Sequence, residues 1–72
     1  MQKIAIKTEY ITLSQFLKLS NIVASGGEAK IFLLNEEILV NGQPDNRKGR
    51  KLYKDDHILV QNEEYVICWY KN

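Results

Sequence analysis

Arg47, Lys48, Arg50, Lys51 and Lys54 place five positive charges within eight residues, with no acidic residue among them. Cations at that density suit one kind of chemistry, the holding of a polyanion. Arginine can clasp a phosphate with two N–H groups, and lysine acts as a flexible point charge. Gly49 lets the stretch bend between its two pairs. The net charge of the 72-residue chain is only +1, so the sum conceals the patch. A solubilising surface loop is the plainer account of the same residues, and composition alone leaves both open.

The other reactive side chains assemble into nothing. His57 follows Asp56, but neighbouring strand residues point to opposite faces and no nucleophile accompanies them. Cys68 is the single cysteine, so it cannot form an internal disulfide, and with one histidine there is no zinc set. Glu36-Glu37 and Glu63-Glu64 read as solvated turns, and the chain has no G-x-x-x-x-G-K-[ST] phosphate cradle. No enzyme, metal or cofactor is expected.

The elements that must position the basic stretch follow from local patterns. Residues 2–7 alternate as a first strand with Ile4 and Ile6 inward. Thr12-Leu13-Ser14-Gln15 fits a capping box, and Ile11 and Phe16 occupy the two staple positions around it. Leu13, Phe16 and Leu17 then give a short helix over 13–19, ended at Ser20-Asn21. Ile22 and Val23 bridge into the core. Ser25-Gly26-Gly27-Glu28 opens a second helix over 26–35 with Ala29, Phe32 and Leu33 inward. Glycines in its first turn lower helix propensity. Either another backbone packs tightly there, or Gly26 and Gly27 leave room for a phosphate to approach the exposed N–H groups.

Strands follow. Ile38-Leu39-Val40 runs into Asn41-Gly42, a tight-turn signal whose role is structural. Pro44 and Asp45-Asn46 continue an irregular polar segment into the basic loop at 47–51, which Leu52 anchors to the core. Asp55-Asp56 turns into a strand at 57–60. Asn62-Glu63-Glu64 turns again into the last strand, 65–70. There Tyr65, Ile67 and Trp69 share one face and Val66, Cys68 and Tyr70 the other, and either face could be the covered one. Tyr65, Trp69 and Tyr70 could serve core packing, a protein contact or base stacking. The order predicts an α+β fold, two short helices packed on a small, largely antiparallel sheet.

Several of these segments together resemble the S4 RNA-binding domain, an αL-type module, in its small single-domain bacterial YaaA/YbcJ form. The resemblance rests on Leu13-Ser14-Gln15-Phe16-Leu17-Lys18, Gly26-Gly27-Glu28-Ala29-Lys30, Glu37-Ile38-Leu39-Val40-Asn41-Gly42, Arg50-Lys51-Leu52 and Asp56-His57-Ile58-Leu59-Val60. It covers residues 12–60, with 2–7 and 65–70 as flanking strands, and makes 1–72 one S4-like domain. It implies binding of structured RNA, often ribosomal, through the two-helix face and the basic loop. Lys18, Lys30, Arg47, Lys48, Arg50, Lys51 and Lys54 are the expected RNA contacts. Lys18 and Lys30 need no functional explanation on a polar helix face, and Lys54 could instead pair with Asp55 or Asp56. The family commonly has a Ser-Arg pair at the start of the second helix. Gly26-Gly27 stands there here, so that arginine contact is missing.

The expected partners are therefore RNA and, with it, ribosomal proteins. The chain has neither a run of some 18 apolar residues nor a signal-like start, so no membrane is expected, and a cytoplasmic monomer is. The alternative is a protein-interaction adaptor that docks through its aromatic C-terminal strand.

Overall fold

The computed structural model describes residues 1–71. Seven strands and two helices follow in the order β1 (Gln2–Ile6), β2 (Tyr10–Thr12), α1 (Leu13–Leu19), α2 (Gly26–Asn35), β3 (Ile38–Val40), β4 (Gln43–Pro44), β5 (Lys51–Tyr53), β6 (His57–Val60) and β7 (Glu63–Trp69). The main sheet is ordered β1-β7-β6-β3-β4, and β2 and β5 form a separate two-stranded ribbon. The result is the expected α+β arrangement. The sheet is antiparallel except at β1, which lies parallel to β7 with Ile4 opposite Ile67.

Both helix starts follow their motifs. Gln15 N–H donates to Thr12 Oγ1 at 3.2 Å, and Thr12 N–H donates to Gln15 Oε1 at 2.8 Å, a closed capping box. Ile11 and Phe16 are both buried. The Ser20 hydroxyl turns back to Phe16 O, and Asn21 takes φ 62° to end α1. Glu28 N–H donates to Ser25 Oγ at 3.2 Å, while the Glu28 carboxylate accepts from Ala24 N–H rather than from Ser25.

The core joins one stripe of each helix to the inner face of the sheet. Leu13, Phe16 and Leu17 of α1 and Ala29 and Leu33 of α2 meet Ile38, Val40, Ile58, Val60 and Ile67. Phe16 stands edge-on to Tyr65 with centroids 5.2 Å apart. Val23 is buried and Ile22 packs against this cluster, as the bridging role requires.

Four boundaries differ from the sequence reading. The segment expected to be irregular includes β4, a two-residue edge strand where Pro44 has no ladder bond to lose. The turn after β6 is Gln61-Asn62, both at positive φ, so Glu63 and Glu64 pair with Val60 and Leu59 inside β7. Lys51 belongs to a strand rather than to the basic loop. Tyr10–Thr12, read only as the approach to α1, is its partner, with Ile11 opposite Leu52.

Candidate nucleic-acid interface

The basic loop is fastened to the start of α1. Leu13 N–H donates to Arg50 O at 2.8 Å and Ser14 N–H donates to Lys48 O at 3.1 Å. The first N–H groups of a helix have no partner within it. Here the loop supplies two carbonyls, and the Thr12 hydroxyl caps the next donor. Two residues beyond Arg50, Leu52 is fully buried, the anchor its position implied.

An acidic residue organises the loop from just outside the basic run. The Asp45 carboxylate, only 7% exposed, accepts Arg47 Nε at 3.1 Å, Arg47 Nη2 at 2.8 Å, Arg47 N at 3.0 Å and Arg50 Nη1 at 2.8 Å. Arg47 itself is 69% exposed, and the Arg50 side chain is half-buried. Hydrogen bonding from Arg47 holds the Asp45 carboxyl far below the usual carboxylate range, with Arg50 assisting, against the opposing effect of burial. The same pairing raises Arg47. From the sequence, either arginine could clasp a phosphate with two N–H groups. In the folded chain the Nε edge of Arg47 is already spent on Asp45.

The remaining cations differ in freedom. The Lys48 side chain has no hydrogen-bond or ion-pair partner among the described residues. Lys51 lies over the Tyr10 ring, its Nζ 4.8 Å from the centroid. Lys54 pairs with Asp55 at 3.1 Å on the surface, an arrangement that contributes little to stability. Over residues 45–55, five cations and the two carboxylates that pair with them, Asp45 and Asp55, leave three net positive charges. Lys18, in the last turn of α1, and Lys30, on α2, are exposed.

The Asn41-Gly42 turn is stitched to the strand beyond the loop. Both residues have positive φ. Asn41 Nδ2 donates to Asp56 Oδ1 at 3.0 Å, Asn41 Oδ1 accepts His57 N–H at 2.9 Å, and Asp56 Oδ2 accepts Tyr53 N–H at 2.8 Å. Asp56 thus serves backbone and turn, while the His57 ring lies 3.7 Å from Glu64 instead. The pair has no acid-base geometry.

The sequence model of the S4 domain matches residues 4–68. The chain belongs to the S4 domain family. A curated protein of Bacillus subtilis (strain 168), named "Probable ribosome maturation protein RlbA", is 57% identical to it over 58 residues, 81% of this chain and 82% of that protein.

Within this S4 domain the start of α2 departs from the tight-packing expectation. A Cβ at Gly26 would meet nothing within 4 Å, and one at Gly27 would meet only Ser25 Oγ at 3.9 Å. Neither glycine has positive φ, so no close backbone and no unusual conformation requires them. The aromatic residues also divide. Tyr65 is core, whereas Trp69, on the same strand face, emerges at the strand end and is exposed with Tyr70. Tyr10 and Tyr53, which no sequence pattern singles out, face each other across the β2–β5 ribbon. Alternation in Tyr10-Ile11-Thr12 and Lys51-Leu52-Tyr53 was the available signal, but three residues are too few to establish a period.

Proposed function

We propose that this S4 domain is a non-catalytic, cytoplasmic RNA-binding protein that acts in ribosome maturation. It recognises structured RNA, ribosomal RNA or an assembling subunit, mainly through phosphate contacts. The observation that carries this reading is the basic loop clipped across the start of α1. Its backbone and the side chains of Arg47 and Arg50 are held in place before any partner arrives, which lowers the ordering cost of binding. Lys48, Lys51 and the outward side of Arg47 meet phosphates, Arg50 and Lys54 add field, and Lys18 and Lys30 extend the footprint over the helices. Gly26 and Gly27 add no side chain of their own in front of their N–H groups at the start of α2 and so give a phosphate access to them, beside the Ser25 hydroxyl and the Glu28 carboxylate. The name of the Bacillus relative supports the ribosomal assignment.

Crosslinking to RNA in the native host tests this, comparing wild type with a Lys18→Ala/Lys48→Ala/Lys51→Ala variant that leaves Asp45 its arginines. Enrichment of one structured RNA, lost in the variant, is expected. Equal recovery from both proteins would remove the basic site from the account.

A second reading has its own observation. Trp69 and Tyr70 are 45% and 50% exposed at the end of β7, as an adaptor docking on another protein, including a ribosomal protein, would need. Salt-tolerant protein binding abolished by Trp69→Ala would favour it.

A further inference from the structure

The β2–β5 ribbon has one face in the core and one in solvent. Ile11 and Leu52 point inward and are buried, so alternation sends Tyr10, Thr12, Lys51 and Tyr53 outward. Tyr10 and Tyr53 are directly opposite, their centroids 5.7 Å apart and their planes inclined at 47°. The Lys51 ammonium occupies Tyr10, 4.8 Å from its centroid. Tyr53 carries no such cover and remains 43% exposed. Beside the pair, Thr8, Tyr10, Thr12 and Gln15 line an open cavity of about 370 Å³.

We propose that this outer face is a stacking platform for one unpaired nucleobase, with the Lys51 ammonium holding the adjoining phosphate. The inference rests on the RNA-binding reading and names the kind of RNA that the loop meets. A base within a duplex is stacked on its neighbours and offers no face, whereas a splayed loop nucleotide does. An aromatic ring beside a cation is the pairing that binds single strands without demanding a sequence. Lys51 links the two surfaces, because it is both the end of the basic run and a member of the ribbon. Its placement over Tyr10, the ring opposite Tyr53, holds the ammonium on the outer face of the ribbon instead of leaving it to sweep through solvent. The preferred target is then a paired element whose loop or bulge presents an unstacked base within reach of the 47–51 cations. The competing account is that the two tyrosines only brace the ribbon as a cross-strand pair.

Binding of a short oligouridylate and of a blunt RNA duplex to wild type, Tyr53→Leu and Tyr53→Phe, each checked for an unchanged circular dichroism spectrum, decides between them. Tyr53→Leu should weaken oligouridylate binding roughly tenfold while Tyr53→Phe retains it, and duplex binding should be the same for all three. Oligouridylate affinity that is unchanged in Tyr53→Leu, or lost equally with duplex affinity, would overturn the platform and leave RNA binding standing. Failure of the wild type to bind either RNA would remove both.

Discussion

At the start of α1 the N–H groups of Leu13 and Ser14 meet the carbonyls of Arg50 and Lys48. At the start of α2 those of Gly26 and Gly27 meet no protein acceptor among the described residues. The two helices open on closely related motifs, Thr-x-x-Gln and Ser-x-x-Glu, and each motif makes its cap bond. What differs is the space in front. One end is closed by a loop that comes from some 35 residues further along the chain, and the other faces solvent. A cap motif therefore determines where a helix begins but not what its positive end will meet. In this domain the closed end gives the basic loop its place, and the open end keeps two N–H groups available.

Breaking the closed end should have the largest effect. Leu52→Ala removes a fully buried side chain beneath the loop and the ribbon, at a cost of about 2–5 kcal/mol in urea denaturation. A loss of that size is a large fraction of the stability of a domain this small. A cost below 1 kcal/mol would mean that the loop does not depend on its anchor.

Asp45→Asn should loosen the same end less, by about 1–3 kcal/mol at pH 7, because a nearly buried carboxylate bound to two guanidiniums is replaced by a neutral amide. The pH dependence has a definite sign. A carboxyl whose folded-state pKa is depressed stabilises the fold fully above its ordinary value of about 3.9 and loses that contribution as pH falls toward the depressed value. The stability difference between wild type and Asp45→Asn, followed by urea titration, should thus shrink below about pH 4. A difference that stays constant from pH 7 to pH 3 would dissociate Asp45 from acid sensitivity.

Filling the open end should act in the other direction. Neither glycine of α2 needs its freedom, so Gly26→Ala and Gly27→Ala should each raise stability, by about 0.5 kcal/mol. RNA affinity should fall in the same variants if a phosphate approaches there. A rise in stability with no change in binding would make the open end merely open. The smallest change should come from Lys48→Ala. Its carbonyl, not its side chain, holds α1, so stability should stay within about 0.5 kcal/mol. The slope of log affinity against log salt should fall by roughly 0.7–0.9, the release of one counterion.

Much of the fold was legible because it is written over short distances. Thr12 and Gln15, Ser25 and Glu28, and the two residues of the Asn41-Gly42 turn interact within one turn of chain, so their types alone specify the geometry. The identity of α1 and α2 and their inward residues followed from the 3.6-residue period. The candidate site was legible as a run of cations but not as an arrangement. Asp45 lies outside the run of cations, and only the folding back of the loop directs both arginines onto it. For Gly26 and Gly27, sequence offered two explanations, and the space around them removed tight packing.

The amino-acid sequence by itself determined where the helices start, which side of each helix turns inward, that an Asn-Gly turn follows β3 and that positive charge concentrates at 47–54. Tertiary structure decided the pairings that join distant segments. These are Ile11 with Leu52 in a ribbon of three-residue strands, Ile4 with Ile67 in parallel, and the carbonyls of Lys48 and Arg50 with the start of α1. The physical reason is range. A cap or a turn is satisfied by neighbours within three or four residues, whereas a three-residue strand has too few side chains to show a period and gains its hydrogen bonds only when a partner from the other end of the chain is brought beside it.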